Sequence, residues 1–395
     1  MDLKIFTDNI EEKALSQIHN LLAQPAFSEC KVRIMPDVHA GAGCVIGFTA
    51  NMGDKVIPNV VGVDIGCGML TAELGNIDID FEKLDSVIRE YVPSGMNVHE
   101  NAHEVFEEMK EVLCYASLKN HEWLENSLGT LGGGNHFIEV DADENGNKYL
   151  IIHTGSRNLG KQVADYYQKL AIERINGRKK EINEQIKNVV AELKEAGRQT
   201  EISSAIEAIK SSYNSVDKMP NELCYLEGED RLNYLHDMAI CQRFAKENRA
   251  RIVNVICEKM NWSPKTFETI HNYIDLDTNI IRKGAISAKN GERVLIPLNM
   301  RDGCIIGIGK GNEDWNCSAP HGAGRVMSRI EAKKKVSMEE YEKSMDGIFT
   351  TSVSEDTLDE CPMAYKPIED IIGNIAPTVD IERIIKPIYN FKASE

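Results

Sequence analysis

Metal-binding side chains occur in four short segments of the sequence, each beside glycines or at the end of an apolar run. In the first segment, 62–69, Asp64 and Cys67 lie three residues apart and glycines bracket them. Tight glycine turns allow a carboxylate and a thiolate to converge on one point. Such a mixed pair of donors favours Mn, Fe, Co or Zn. The alternative interpretation of this segment is an ordinary turn with a buried cysteine.

Histidines supply the other three candidates. His136 follows three glycines, whose loop could present backbone N–H groups to a phosphate or could be only a flexible turn. His153 ends the apolar run 149–152, while His271, taken alone, has the character of a core histidine. Together with the first segment, these residues could hold two cations that share the cysteine. A pair of cations suits phosphoryl chemistry, because it stabilises both the entering and the leaving oxygens.

Two further segments could act on a phosphate directly. In 153–160, hydroxyls, Arg157 and the start of a helix follow the histidine, which is typical of an anion site and also of a capped helix. In 318–325, His321 lies among small residues, and an uncovered imidazole nitrogen can form a covalent phosphoramidate. Arg325 could hold phosphate oxygens bidentately. The alternative is a turn with an incidental histidine.

The elements that must position these residues predict an α+β fold. Segments 31–72 and 281–325 hold short β-rich runs broken by glycines, and 149–152 is expected to form a buried strand. Helical spacing of apolar residues occurs around this glycine-rich sheet core, for example at 81–91. Because the candidate residues are spread along most of the chain, we expect one large domain over 1–395.

A charged helical hairpin is predicted at about 178–216. Two apolar stripes with helical spacing lie on either side of Gly197, which could end the first helix. Many of the remaining positions are charged. The hairpin is interpreted as an elaboration of the domain, either a solvated arm or a partner-binding arm.

Composition narrows the class of protein. The net charge is −17, from 62 acidic and 45 basic residues, which excludes a basic field over the whole molecule but not a local basic groove. No apolar stretch is long enough to cross a membrane, and the N-terminus lacks a signal-peptide layout, so we expect a cytoplasmic protein. Ten cysteines without a C-x-x-C pair argue against a zinc ribbon and a disulfide scaffold.

Six motifs in order give the chain a family resemblance. It resembles the RtcB family of RNA ligases from about residue 30 to the C-terminus, apart from the hairpin. The motifs are DVHAGAG at 37–43, VDIGCGM at 63–69, GGNHF at 133–137, HTGSR at 153–157, RKGA at 282–285 and HGAGR at 321–325.

The resemblance implies an activity and two cofactors. Members join an RNA 3′-phosphate, often made from a 2′,3′-cyclic phosphate, to a 5′-hydroxyl in RNA repair or tRNA splicing, using GTP and two Mn²⁺ ions. By this resemblance Cys67 bridges the two ions, and His321 carries GMP as a covalent intermediate. His153 and His271 then complete one metal site, and Asp64 with His136 completes the other. The implied nucleotide-binding residues are Asn135, Glu139, Gly322, Ala323, Gly324 and Lys392.

The expected partners are GTP and RNA with broken ends, contacted by Arg157 and Arg325. We leave open an activating protein partner and the oligomeric state. One alternative function is a dinuclear-metal cyclic phosphodiesterase or phosphoesterase, which hydrolyses its substrate and never stores GMP. Another is a non-enzymatic role in which the hairpin binds a partner and the metals are structural. The segment around His321 favours the ligase, because a hydrolase needs no covalent nucleotide.

Overall fold

The computed structural model describes residues 2–101, 105–212 and 219–393. Within these ranges the chain forms seventeen strands and ten α-helices, with short 3₁₀ turns between them. The strands are β1 Asp2–Ile5, β2 Lys31–His39, β3 Ile46–Asn51, β4 Lys55–Val56, β5 Gly68–Gly75, β6 Phe137–Ala142, β7 Lys148–Thr154, β8 Leu226–Glu227, β9 Lys265–Ile270, β10 Asn272–Asp275, β11 Ile280–Lys283, β12 Ala285–Ser287, β13 Arg293–Asn299, β14 Gly303–Gly309, β15 Ser318–Pro320, β16 Phe349–Thr350 and β17 Val379–Lys392. The helices are α1 Glu12–Leu22, α2 Pro58–Val61, α3 Phe81–Tyr91, α4 His121–Glu125, α5 Arg157–Glu195, α6 Ile202–Ser212, α7 Gly228–Met260, α8 Arg329–Lys335, α9 Met338–Ser344 and α10 Ile368–Ile375.

An eight-stranded sheet forms the centre of the molecule. Its order is β13-β14-β17-β6-β7-β5-β9, with β16 added beside β17. Helices α3 and α7 cover one face, where Leu84 and Ile252 pack against Ile138 and Ile152. On the other face, β7, β14 and β17 contribute to a smaller cluster that includes Ile151 and Cys304. The sheet is therefore buried on both faces over its middle strands.

A second sheet lies beside the first. Its order is β1-β2-β3-β11-β10, and α1, α2 and α5 pack with it in the largest apolar cluster. A two-stranded pair, β12-β15, follows β11 in the chain, and β15 ends at Pro320, directly before His321. The mixed architecture confirms the α+β class that the sequence predicts.

Two helices occupy the stretch in which the hairpin is predicted. Helix α5 begins at Arg157, much earlier than 178, and continues to Glu195; α6 then packs against it. Gly197 has a φ of 69° and follows the last residues of α5, as expected of a helix-ending glycine. Residues 213–216 of the predicted hairpin lie outside the described residues. The domain limits 1–395 remain a prediction.

Among the described residues, no helix combines the length and the apolar character needed to cross a membrane.

Candidate functional site

The metal-type ligands gather where three neighbouring strands end. Strand β5 lies between β7 and β9, and its residue Met69 pairs with His153 on one side and Thr269 on the other. Cys67 directly precedes β5, and His271 directly follows β9. Because antiparallel neighbours keep this register along their length, the three side chains reach the same end of the sheet.

Backbone hydrogen bonds hold the turn between α2 and β5. The Cys67 amide donates to the Asp64 carbonyl at 3.2 Å, and the His271 amide donates to the Cys67 carbonyl at 2.9 Å. Gly66 has a φ of 72°, which glycine adopts without strain, and its amide donates to the Asn272 carbonyl at 2.7 Å. The glycine-rich turn thus fixes the carboxylate and the thiol relative to the strand that carries His271.

Five side chains form one continuous cluster. Cys67 Sγ lies 3.5 Å from His136 Nε2 and 3.3 Å from His153 Nε2. His136 Nε2 lies 2.9 Å from Asp64 Oδ2, and His153 Nε2 lies 3.4 Å from His271 Nε2. The ligand atoms of Cys67, His153 and His271 lie within 4.8 Å of one another, as do those of Asp64, Cys67 and His136. Cys67 therefore belongs to both groups.

Backbone carbonyls set the orientation of two of these rings. His136 Nδ1 donates to the Leu131 carbonyl at 2.9 Å, and His153 Nδ1 donates to the Asn135 carbonyl at 3.1 Å. A carbonyl can only accept, so each Nδ1 carries a proton. In His153 the Nε2 lone pair then faces the cluster, whereas His136 Nε2 donates to the Asp64 carboxylate. Outer contacts of this kind are usual around metal-binding histidines.

The charge states of the cluster fit a pair of divalent cations. Burial lowers the pKa of His153 and that of His271 well below the usual imidazole range, so both rings are neutral ligands. Burial raises the pKa of Asp64, but the hydrogen bond and charge of His136 outweigh it and bring that pKa to about 2. Burial and the Asp64 charge raise the pKa of Cys67 well above its usual value. A bound cation displaces such a thiol proton, and this mixed donor set suits Mn, Fe, Co or Zn.

His321 lies beside the cluster and is oriented by a buried carboxylate. Its ring centroid is 5.0 Å from that of His271. Asp37 is fully buried, and its Oδ2 accepts from His321 Nδ1 at 2.6 Å and from the His321 amide at 3.2 Å. Nδ1 therefore carries the proton. The lone pair of Nε2 remains available for nucleophilic attack, as in other imidazoles held by a carboxylate.

A cavity of about 660 Å³ opens beside His321. Asp64, Cys67, His136 and Arg157 are outside its lining. Cys67 contacts His153 in the cavity wall, and His136 in turn contacts Cys67 and Asp64. The sequence-predicted residues that line it are Asn135, Glu139, His153, His271, His321, Gly322, Ala323, Gly324, Arg325 and Lys392. The structure thus brings all six predicted nucleotide-binding residues to the wall that carries the candidate nucleophile.

Three cations of the cavity wall converge on Glu360. Lys392 Nζ lies 2.7 Å from Oε2, while Arg325 Nη1 and Arg329 Nη1 lie 3.1 Å and 2.7 Å from Oε1. The Tyr365 hydroxyl donates to Oε2 at 2.6 Å. Burial raises the pKa of Glu360, but the cations, Lys392 foremost, outweigh it and bring that pKa to about 2. The buried Lys392 ammonium is therefore held by an ionised partner.

The two arginines predicted to contact phosphate already donate to protein acceptors. Arg325 also donates from Nη2 to the Asp359 carbonyl at 2.6 Å. Arg157 donates from Nε to Thr130 Oγ1 at 3.1 Å and from Nη2 to the Gly95 carbonyl at 3.2 Å. Arg157 has a φ of 56°, an uncommon backbone conformation for a residue with a side chain. Their assignment as RNA contacts remains a prediction.

Helix α7 supports the loops that carry the ligands. The buried Asn248 side chain accepts from the amides of Gly129 and Thr130, and it donates to the carbonyls of Thr130 and Gly155. Next to it, Arg249 donates from Nη1 to the carbonyls of Gly66 and Thr154, both at 2.7 Å. One turn of helix therefore connects the turn before β5 with the end of β7.

Sequence reasoning assigned no role to Asp37, Glu360, Asn248 or Arg249. Asp37 lies inside the DVHAGAG motif, so the motif itself was a usable signal. Glu360 ends a 3₁₀ turn without a motif, and the polar pair on α7 lies within an amphipathic helix. For these three residues only the tertiary contacts show a role.

The chain is similar over most of its length to one family of known proteins. The matching family is described as "tRNA-splicing ligase RtcB", and its model covers residues 17–124 and 109–393. The RNA-splicing ligase RtcB of Escherichia coli is 31% identical, over 97% of this chain and 95% of that protein. The tRNA-splicing ligases RtcB of Nanoarchaeum equitans and Aeropyrum pernix are each 26% identical, over 95% of this chain and 90% of those proteins.

Proposed function

The chain belongs to the RtcB family, and from this premise we propose that it is an RNA ligase of RNA repair or tRNA splicing. We propose further that it joins an RNA 3′-phosphate or 2′,3′-cyclic phosphate to a 5′-hydroxyl, and that it does so through a covalent histidine–GMP intermediate. The names of the relatives favour ligation over the alternative of a dinuclear phosphoesterase.

The observation that supports this most directly is the setting of His321. Its imidazole lies in the cavity wall, 5.0 Å from the His271 ring, with Nδ1 held by Asp37. In the proposed reaction Nε2 attacks the α-phosphorus of GTP, a P–N bond forms and pyrophosphate leaves. An oxygen of the RNA 3′-phosphate then attacks the phosphorus of the GMP, the P–N bond to His321 breaks and a P–O–P bond joins RNA to GMP. Finally the 5′-hydroxyl gives up its proton and attacks the phosphorus of the RNA 3′-phosphate, so that the new P–O bond forms and GMP leaves.

The ligand cluster would hold two Mn²⁺ ions. Asp64, Cys67 and His136 would bind one, and Cys67, His153 and His271 the other, in accord with the two groups of converging ligand atoms. Bound cations would neutralise phosphate charge. The protein's own contribution is to supply His153 and His271 as neutral imidazoles, which add no negative charge where phosphates must enter.

The base of the nucleotide would lie at the end of the cavity formed by β6 and β17. Glu139 on β6 is opposite Asn390 on β17, and Lys392 lies two residues further along. A carboxylate accepts from the N1–H and N2–H groups of guanine, and an ammonium donates to its O6 or N7. Adenine offers the reverse pattern on its Watson–Crick edge. This pairing of an acceptor with a donor supports GTP as the nucleotide.

RNA with broken ends is the proposed substrate. The chain is acidic overall, so contact with the RNA backbone would depend on local cations such as Arg325 and Arg329 at the cavity. All ten cysteines are free and nine are buried, which suits a reducing compartment such as the cytoplasm.

The decisive experiment is incubation of the purified chain with α-labelled GTP and Mn²⁺, followed by denaturing electrophoresis. We expect label to remain on the wild-type protein and to be absent from His321→Ala. The matched control is His19→Ala, which removes an exposed histidine of α1 and should label normally. Stable label on His321→Ala would contradict the assignment of the nucleophile. Labelling of the chain alone would also show that guanylylation needs no activating protein partner.

A further inference from the structure

A pair of acidic side chains lies beneath the nucleotide end of the cavity. Glu139 and Asp141 are alternate residues of β6, so they point to the same face of the sheet. Glu139 is 3% exposed and lines the cavity, whereas Asp141 is completely buried behind it. Asp143, two residues further along, has both carboxylate oxygens paired, with Asn147, Tyr149 and Arg383 among the donors.

Asp141 differs from its neighbours because neither of its oxygens has a hydrogen-bond partner among the described residues. Glu139 and Cys304 lie close to it, since the ligand atoms of these three residues lie within 4.8 Å of one another. Glu139 has one additional donor, the Asn390 side-chain amide, at 2.6 Å from Oε2. The pair is therefore short of donors.

The surroundings of the pair are mainly apolar. Ile151 and Cys304 belong to the apolar cluster on this face of the sheet, and Cys304 is fully buried. The side chains that face the pair are Tyr149 and Ile151 from β7, Pro387, Asn390 and Lys392 from β17, and Cys304 from β14. Of these, Tyr149 donates its hydroxyl to Asp143, and Lys392 is bound to Glu360.

Two carboxylates this close in an apolar environment cannot both be ionised at neutral pH. Burial and the charge of Glu139 raise the pKa of Asp141 well above its usual value, while burial raises the pKa of Glu139 to about 7. Asp141 is therefore the group that keeps its proton. A protonated Asp141 has one O–H to donate, and Glu139 is the acceptor beside it.

We propose that Asp141 is a positioning residue that, as a neutral acid, donates to Glu139, sets its charge and so determines the preference of the cavity for guanine. The inference rests on the proposed function, since it assigns a partner to the side chain that would read the base. A Glu139 carboxylate can accept hydrogen bonds from both the N1–H and the N2–H of guanine. A protonated Glu139 would instead place its own O–H donor opposite one of these donors. Guanine binding should therefore strengthen as the pH rises through about 7.

The test measures binding of GMP and of AMP to the full chain with Mn²⁺, by calorimetry between pH 5.5 and 8.5. GMP and AMP carry the same phosphate, so the GMP:AMP affinity ratio cancels its titration. In the wild type we expect this ratio to rise about tenfold per pH unit below pH 7 and to level off above it. A ratio that does not change with pH would overturn the inference, and this arm needs no variant.

Variants of Asp141 separate a neutral donor from a general structural role. Asp141→Asn keeps a donor and should retain the wild-type ratio and profile. Asp141→Leu removes the donor. The pH midpoint at which the GMP:AMP affinity ratio levels off should therefore move to higher pH, and the ratio at pH 7 should fall about tenfold. The control Asp143→Asn removes a carboxylate whose donors are all outside the cavity, and it should change neither quantity.

Three results would overturn the proposal. One is an Asp141→Leu protein that folds and keeps the wild-type pH midpoint. Another is a fall in the GMP:AMP affinity ratio that is as large in Asp141→Asn as in Asp141→Leu. The third is a metal analysis with a third Mn²⁺ per chain that disappears in Asp141→Asn, which would make the cluster a cation site. A wild-type chain that binds GMP at no pH would overturn the proposed function together with the inference. GMP binding with a flat ratio would overturn the inference alone.

Discussion

The carboxylate of Asp37 controls which nitrogen of His321 is available for reaction. Its Oδ2 accepts from His321 Nδ1 and from the His321 amide, although the two residues lie 284 positions apart in the sequence. An imidazole held in this way has one tautomer and one orientation. A carboxylate that fixes a reactive histidine is worth several orders of magnitude in rate in other enzymes.

We therefore expect Asp37→Asn to slow the proposed guanylylation of His321 by about two to four orders of magnitude. The asparagine amide can donate to Nδ1, which would place the proton on Nε2 and block attack. The measurement is single-turnover labelling with α-labelled GTP, with GMP affinity determined in parallel. Affinity should change little. An unchanged labelling rate would show that Asp37 does not orient the nucleophile, and exposed Asp380→Asn serves as the control.

Glu360 gives the cavity wall a pH-dependent stability. Its folded pKa of about 2 lies below the usual value of 4.5, because Lys392, Arg329 and Arg325 outweigh the effect of burial. A lowered folded pKa stabilises the native state above the unfolded pKa. This contribution is lost as the pH falls from about 5 toward 2, and it amounts to about 3 kcal/mol at neutral pH.

In Glu360→Gln we expect the free energy of unfolding at pH 7 to fall by about 3 kcal/mol, and the deficit to shrink as the pH approaches 3. Urea denaturation at several pH values measures both quantities. Glu369→Gln, an exposed residue of α10, is the matched control and should show no such pH-dependent difference. A constant deficit at every pH would mean that the ion pairs do not account for the effect.

At the scale of elements, the positions of strands decide how much of the site the sequence could predict. The apolar run 149–152 predicted a buried strand, and β7 runs from Lys148 to Thr154, so the prediction is confirmed and its histidine lies at the expected end. Glycine-bracketed motifs predicted the residues that the structure brings together in the cluster, since local turns place donors near strand ends. What a local pattern could not predict is the partner across the sheet.

Glu360 and the polar pair on α7 illustrate that limit. Glu360 contacts Lys392 because β17 passes beside the 3₁₀ turn at 355–360. No spacing in the sequence predicts that contact. Asn248 lies among apolar residues of a helix whose periodicity predicts only a buried face. The role of Asn248 depends on its contacts with loops that are distant from α7 in the sequence.

The support that α7 gives to the ligand loops is testable. In Asn248→Ala four backbone groups lose their partner in a buried environment: the amides of Gly129 and Thr130 and the carbonyls of Thr130 and Gly155. At about 1 kcal/mol for each backbone group, we expect the free energy of unfolding to fall by about 4 kcal/mol and Mn²⁺ affinity to weaken. The control is Asn254→Ala, on the exposed face of the same helix.

Urea denaturation measures the free energy of unfolding of both variants, and Mn²⁺ titration measures their affinity for the ion. A loss of stability with wild-type Mn²⁺ affinity would contradict the view that α7 positions the metal ligands through these loops. Equal effects in the two asparagine variants would contradict any specific role for Asn248.

For the whole molecule, the ligand cluster connects parts of the chain that are remote in sequence. Asp64 and Cys67 come from the turn before β5, His136 and His153 from the β6–β7 region, and His271 from the connection between β9 and β10. An unfolded chain does not bring these groups together. Cations that bind the native state alone should therefore stabilise the entire fold, by an amount set by their concentration relative to Kd.

We expect Mn²⁺ at one hundred times its Kd to raise the free energy of unfolding by about 2.7 kcal/mol for each independent site, relative to the chelator-treated protein. Cys67→Ala should lose this gain from both sites, because Cys67 belongs to both groups of ligand atoms, whereas His271→Ala should lose it from one. Cys317→Ala removes a thiol outside the cluster and should keep the full gain. Denaturation with and without Mn²⁺ measures the difference. A full Mn²⁺-dependent gain in Cys67→Ala would rule out a shared cysteine and leave the two groups of ligands as separate features of the protein.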